Sequence, residues 1–229
     1  IAQEQYGSHK NHTAINHGLN KQLTFDILRL KKQAGALCTN DAKACYNCIV
    51  HSITSLAMQS HRVPAGLIVC MFMMIQNLKH YVCTIYGDSS LSFGGTLWMT
   101  LIQGVGQGNG AGPQIWAVIS TAILNMMRAE GHKCFFRSAL SGAEVSIMGY
   151  SFVDDTDLIV TAEDVEGSRD EIAYRMQASV KAWEGSIRAS GGAIVPEKTH
   201  WYLIDFTWAQ GNWKYATEVE APSTISVRD

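Results

Sequence analysis

Residues 148–160 read MGYSFVDDTDLIV. Strand-forming residues run to Val153, stop at Asp154 and Asp155, add Asp157, and resume as Leu158, Ile159 and Val160. Aromatic and β-branched residues interrupted by turn formers are the pattern of two strands joined by a tight turn. The predicted hairpin covers Val145 to Val160 and carries adjacent carboxylates at its tip, outside the buried sheet. Two such groups repel, which raises the proton affinity of at least one unless a cation sits between them. Asp is also an ordinary turn residue, so the pair alone reads as a solvated turn. The acids acquire meaning only with a partner.

Asp41 is the candidate partner. GALCTND, residues 35–41, reads as a short buried strand delivering Asp41 at its end, and a helix is expected from Ala44 to about Gln59. If strand and hairpin share a sheet, three acids meet. Hard oxygen ligands of this kind suit Mg²⁺, which keeps several waters and completes its shell with phosphate oxygens. Two such ions stabilise the attacking and leaving oxygens of a phosphoryl transfer. A third element, GVGQGNGAGP at 104–113, sets Gly104, Gly106, Gly108, Gly110 and Gly112 around Gln107. So many glycines let the backbone approach a ligand closely. A helix expected after Pro113 anchors the loop, with Ile115, Val118, Ile119, Ala122, Ile123 and Met126 inward. By itself such a stretch reads as a flexible surface loop.

Outward from these blocks, Thr13 to about Lys32 has helical spacing at Ile15, Leu19, Leu23, Ile27 and Leu30. Pro64 can start a helix that runs towards His80. YVCTIYG and SSLSFGG read as paired strands joined near Gly87-Asp88, with extended chain to Ile102. Ser168 with Glu171 forms a capping box. The helix it opens puts Ile172, Met176, Val180, Trp183 and Ile187 on one face and can end at Gly191. HWYLIDF is a last strand after Pro196. Helices and antiparallel strands without regular β-α alternation predict an α+β fold, an antiparallel sheet backed by helices on one face.

The chain has 229 residues, 47% hydrophobic and 17% charged, enough for a substantial core. No run reaches the ~18 apolar residues of a spanning helix, and no basic-then-apolar leader is visible. The opening Ile1 suggests a piece of something longer. Six scattered cysteines fit a reducing, intracellular compartment, cytoplasm or nucleus, better than a disulfide framework. Cys45 and Cys48 lack the second pair that a zinc site needs. The net charge of −2 argues mildly against a nucleic-acid binder. Local basic clusters exist at Arg29 to Lys32 and among Arg128, Lys133 and Arg137.

Taken together, the blocks resemble reverse transcriptases, in particular those of non-LTR retrotransposons and group II intron relatives. NDAKACYNCI is similar to the family's first palm motif, and GVGQGNGAGPQIW to its Gln-Gly-x-x-x-Ser-Pro motif. YSFVDDTDLI is similar to the aromatic-x-Asp-Asp hairpin, and AWEGSIRASGGAIVPEKTHW to the later Gly-then-Lys segment. QYGSHKNHTA, residues 5–14, is similar to the Gln-x-Gly-Phe-Arg block at the base of the fingers. Any one block is weak; the ordered set is specific.

The resemblance implies a polymerase palm with partial fingers: 1–34 as partial fingers, 35–206 as palm, and 207–229 as tail or start of a thumb. It implies RNA-directed DNA synthesis with two Mg²⁺ ions, or Mn²⁺ in their place, on Asp41, Asp154 and Asp155, with Ala42 completing the ligand set. Tyr46 would press on the sugar and exclude a 2′-hydroxyl. Gln107 and Gly108 would line the nucleotide pocket. Lys198 would approach the triphosphate, and Lys10 would supply one fingers charge. Implied partners are an RNA template, a DNA primer and dNTPs, with no membrane, and other domains of a longer polyprotein. A palm alone would hold primer–template poorly.

This chain departs from the pattern at Asn47, where Asp is frequent, at Gly112, where Ser is usual, and in the fingers block, which lacks Arg. Asp157 reads as a hydrogen-bond acceptor in its strand rather than a metal ligand. Trp201, Trp208 and Trp213 read as packing, or as a stacking platform for the primer. Two rivals stand beside the main reading. An RNA-directed RNA polymerase shares the palm, but its usual Gly before the Asp pair is Val153 here. A decayed or domesticated copy would keep the fold as an RNA-binding scaffold.

Overall fold

The computed structural model describes residues 1–7, 9–43, 45–94, 103–138, 140–162, 167–217, 220–221 and 223–227. Ser8, Ala44 and the extended chain expected up to Ile102 (residues 95–102) lie outside the described residues.

The central strand β1 (Gly35–Lys43) pairs antiparallel on both sides. Along one edge lies the strand Asp155–Thr161, and beyond it Gly149–Phe152. Along the other lie His200–Ile204 and the two-residue strand Ala193–Ile194. Alternation along β1 sorts its side chains between two cores. Ala36, Cys38 and Ala42 join Leu158 and Val160 in the main core. Two helices back that face, Gly112–Ala129 and Arg169–Ala189, contributing Trp116, Ile119 and Leu124, and Met176, Val180 and Trp183. Each such buried apolar side chain is worth ~1.5–3 kcal/mol. Asn40 lies in this face without an unmet polar group. Its amide donates to the Thr156 carbonyl at 2.8 Å and accepts from the Trp183 indole at 2.8 Å.

The opposite face is covered as well, at the Gly35 end. Leu37, Ile159, Ile204 and Phe206 form a second core with Leu28 of the first helix, Ala14–Lys31, and with Cys134 and Phe136. The predicted α+β class, with an antiparallel sheet backed by helices, holds. Cover on a single face does not, because the hairpin Cys134–Arg137/Glu144–Ile147 and the first helix also pack against the sheet.

The first helix has the predicted extent but not the predicted face. Ile15 and Leu30 are 81% and 74% exposed, while Thr24 and Leu28 are buried. Its orientation is set by polar contacts: Thr24 hydrogen-bonds the Tyr150 hydroxyl, and Lys21 pairs with Asp157 at 2.8 Å. In the helix Gly112–Ala129, Ile115, Ile119 and Ile123 are inward as expected. Ala122 and Met126 are exposed, and Trp116, Leu124 and Met127 are buried instead. A helix apolar on most sides leaves the choice of face to packing.

The helix expected from Ala44 begins at His51 and runs to Ser60, preceded by a turn at Cys45–Cys48. Backbone groups there serve other segments. Gly104 donates to the Ile49 carbonyl at 2.9 Å, Val105 to that of Tyr46 at 2.9 Å, and Val50 to that of Ser190 at 3.0 Å. The Pro64 helix ends at Gln76, short of His80, and a strand starts at Lys79. That strand and Gly87–Gly94 form the expected hairpin, turning at Ile85-Tyr86 rather than at Gly87-Asp88. The single strand expected from Val145 divides around Met148. Its first part pairs with Cys134–Arg137 and its second with the strand after the acidic turn. The helix Arg169–Ala189 starts where Ser168 caps the Glu171 N–H at 3.1 Å, and all five predicted core residues are buried. A last hairpin, Phe206–Ala209 with Asn212–Tyr215, was not foreseen.

Candidate functional site

Strand pairing places the acids. β1 and the strand Asp155–Thr161 run in register from Gly35 opposite Thr161 to Asp41 opposite Asp155. Directly opposed residues of an antiparallel pair share a face. Asp41 and Asp155 therefore share one, and Asp157, opposite Thr39, lies on the same side. Asp157 is 7% exposed and pairs with Lys21 at 2.8 Å, with the His17 ring 3.6 Å away, so it serves as an ion-pair partner of Lys21. Burial, the largest influence on His17, holds its imidazole below the usual histidine value.

The turn before Asp155 is strained. Val153 has φ +61°, the left-handed region that costs a non-glycine residue ~1–2 kcal/mol. Its backbone is clamped from three directions. The Gln5 amide oxygen accepts the Val153 N–H at 3.1 Å, and the Trp116 indole donates to the Val153 carbonyl at 2.5 Å. Gly7 lies so close that a Cβ would stand 2.4 Å from the Val153 nitrogen. Gln5 and Gly7, from the block expected at the base of the fingers, brace the acidic turn. Their one sequence signal was the Gln-x-Gly pattern itself.

Asp154 follows Val153 and faces a pocket of about 320 Å³. Asp41, Ala42, Tyr46, Gln107 and Lys198, all candidates from sequence, line the same pocket. Lys43, Cys45, Asn47 and Val195 complete it. Asp155, Gly108 (φ +91°) and exposed Lys10 are not among the lining residues. Tyr46 rests on Gly112, where an added Cβ would approach the ring to 3.3 Å, so the expected Ser would crowd it. Burial, then the charges of Cys45 and Asp154, push the Tyr46 phenol up to about 12. Asn47 accepts the Gln107 N–H at 3.1 Å, a bond Asp would also make. Gly104, φ +81°, sits against the Asn47 and Tyr46 carbonyls, 2.4 and 2.6 Å from a would-be Cβ.

Lys198 closes the charge arrangement. Its ammonium donates to Asp41 Oδ2 at 2.5 Å while its side chain is 67% exposed. That hydrogen bond raises its affinity for its proton, so it is a cation at neutral pH. Burial first, then Asp154, Asp41 and Asp157, raises the Asp155 carboxyl above the usual carboxylate range. The acids have the hard-oxygen chemistry of a divalent-cation site. Among the described residues, however, no three His, Cys, Asp or Glu side chains are gathered closely enough to hold a metal ion as they stand. All six cysteines are free, and burial raises the thiols of Cys38 and Cys45 to about 12. No helix among the described residues is long and apolar enough to cross a membrane.

No family model and no curated protein matches the chain. Solved structures do. Telomerase from Candida tropicalis, in complex with a TWJ fragment of telomeric RNA, superposes with TM-score 0.54 at 13% identity, over 87% of this chain and 30% of that one. Apo telomerase from the same organism, truncated from its C-terminal domain, gives TM-score 0.54 at 14% identity, over 87% and 36%. The fold is polymerase-like. This chain spans about a third of the length of those telomerases. At such identity the likeness is one of architecture, and a polymerase-like fold does not by itself assign chemistry.

Proposed function

We propose that the chain is the palm, with part of the fingers, of a retroelement reverse transcriptase, adding deoxynucleotides to a primer 3′-hydroxyl on an RNA template. The observation that carries the reading is Asp41 in register with Asp155, while Asp154 shares one pocket with Asp41, Tyr46, Gln107 and Lys198. The polymerase-like fold supports it. Asp41, Asp154 and Asp155, with the Ala42 carbonyl, are the donors proposed to hold two Mg²⁺ ions or Mn²⁺, which requires the carboxylates to draw closer together than they stand here. When bound, the ions would supply positive charge to the oxygens of a phosphoryl transfer.

The rest falls to the chain's own groups. Tyr46, backed by Gly112, is the steric filter against a 2′-hydroxyl. Gln107 and Gly108 offer amide and backbone contacts to the nucleotide. Lys198, cationic and largely exposed, can leave Asp41 for a phosphate and give its proton to the departing pyrophosphate. Lys10 would contribute charge from the fingers. The Candida tropicalis telomerase was solved with RNA; for this chain the proposed partners are an RNA template, a DNA primer, dNTPs and further domains of a longer polyprotein.

The Asp41–Lys198 ion pair also favours a second reading, a decayed copy kept as an RNA-binding scaffold, because the lysine already satisfies the first acid. Primer extension on RNA with Mg²⁺, offering dNTPs or NTPs, separates the readings. We expect DNA product from the parent and none from Asp41→Asn. RNA product would indicate an RNA polymerase palm. RNA binding without product or metal dependence would support the scaffold, and full activity in Asp41→Asn would end the assignment.

A further inference from the structure

The basic cluster Arg29 to Lys32 plays no part in the pocket. It forms the last turn of the first helix and its left-handed cap, Lys32 at φ 52°. The hairpin Phe206–Ala209/Asn212–Tyr215 folds against it, turning through Gln210 and Gly211, both with positive φ. That turn puts Trp208 opposite Trp213. Each indole meets a cation: Arg29 lies 4.6 Å from the Trp213 ring centre and Lys32 5.3 Å from that of Trp208. Lys31 donates to the Arg137 carbonyl, drawing a third segment into the same surface. Both tryptophans stay exposed, at 42% and 38%.

Charge is unevenly distributed here. Arg29 is answered by Asp26 at 2.9 Å, and Arg137 stands opposite Glu144. No acid pairs with Lys31 or Lys32 in the described ion pairs, and Lys214 on the hairpin adds a further cation beside Glu220. In a chain of net charge −2 this is a local positive surface with aromatic faces. It lies at the Gly35 end of β1. Six residues at ~3.3 Å each put it roughly 20 Å from Asp41, so it is separate from the candidate pocket.

We propose that this face binds a single strand of nucleic acid, its phosphates on Lys31 and Lys32 and its unpaired bases against Trp208 and Trp213. Cations spaced among aromatic side chains suit a flexible polyanion that carries its own stacking surfaces. Paired bases are unavailable for such stacking, so a duplex fits less well. The inference goes beyond the polymerase reading and does not depend on it, because binding here needs none of the acids.

The test is fluorescence anisotropy of the full chain with labelled oligo(U), oligo(dT) and a duplex, across a salt series. The charge variant is Lys31→Gln/Lys32→Asn, Asn being chosen because it tolerates the left-handed cap. It should weaken single-strand binding and flatten the salt dependence by about 1.4 in log–log slope, two charges at ~0.7 each. Trp208→Ala should weaken binding by about fivefold or more. Arg62→Asn/Lys79→Gln, matched in charge and outside this surface, should bind like the parent. RNA and DNA strands binding alike would assign the contact to phosphate and base stacking; preference for RNA would add a 2′-hydroxyl contact. The proposal is overturned by no single-strand binding at low salt, by equal binding of the charge variant, by an equal loss in the matched control, or by tighter binding of the duplex.

Discussion

Replacing Gln5 by Leu tests whether the acidic turn is held by its neighbours or stands alone. Gln5 is fully buried, at 0% exposure. Its oxygen accepts the N–H groups of Gly7 at 3.0 Å and Val153 at 3.1 Å. Its nitrogen donates to the Ser120 and Ser151 hydroxyls and, at 3.4 Å, to the Val153 carbonyl. Leucine has a similar volume and answers none of these groups. Two stranded N–H groups cost ~1–3 kcal/mol each, and greater apolar burial returns about 1–2 kcal/mol. With midpoints of ~4 kcal/mol lost and ~1.5 kcal/mol returned, the net loss should be about 2.5 kcal/mol, a fall in Tm of roughly 5–10 °C for a chain of this size. Thermal unfolding followed by circular dichroism measures it. The released Val153, costing ~1–2 kcal/mol in its left-handed conformation, would also relax and carry Asp154 with it. Nucleotide addition, measured well below the new Tm, should therefore fall further than the folded fraction explains. A Tm within about 2 °C of the parent, or activity that follows only the folded fraction, would show that the turn keeps its shape without the clamp.

Asp155→Asn should raise stability at neutral pH. The folded carboxyl binds its proton more tightly than the unfolded one, so the charged form disfavours folding. Exposure limits the gain to roughly 0.5 kcal/mol or less, and it should fade as pH falls through the raised value towards ~3.9; a gain that persists unchanged in acid would contradict the cause given. Tyr46→Val should increase ribonucleotide incorporation by roughly tenfold or more, the worth of one small steric group, and unchanged sugar selection would remove the filter. Gly104→Ala should lose more than ~2 kcal/mol in urea unfolding, from its positive φ and from crowding at the Asn47 carbonyl; a smaller loss would mean that the loop shifts freely.

The elements that sequence pattern located are those where periodicity and local chemistry agree. The helix Arg169–Ala189 has a one-sided apolar stripe and a Ser cap, and it lies where expected. The acidic hairpin declared itself through Asp154 and Asp155 between strand formers, and Asp41 through the strand before it. Tertiary contact decided what pattern missed. The stripe Ile15, Leu19 and Leu30 promised a buried face, but Lys21–Asp157 and Thr24–Tyr150 turned the helix the other way. Cys45 to Val50 have helix-compatible residues, yet their backbone groups bond to the glycine loop and to Ser190. Gln5 is 148 residues from Val153, a distance across which no local rule reaches.

The residue-by-residue pairing of Gly35–Asp41 with Asp155–Thr161 makes length itself a requirement. Side chains alternate between faces, so losing a single codon inside either strand would send one acid to the helix side. Such a gene would still spell both recognisable words, and a reader scanning for them would count it intact. Frame-preserving deletions in these two short windows would therefore pull the acids apart without leaving a mark on the motifs.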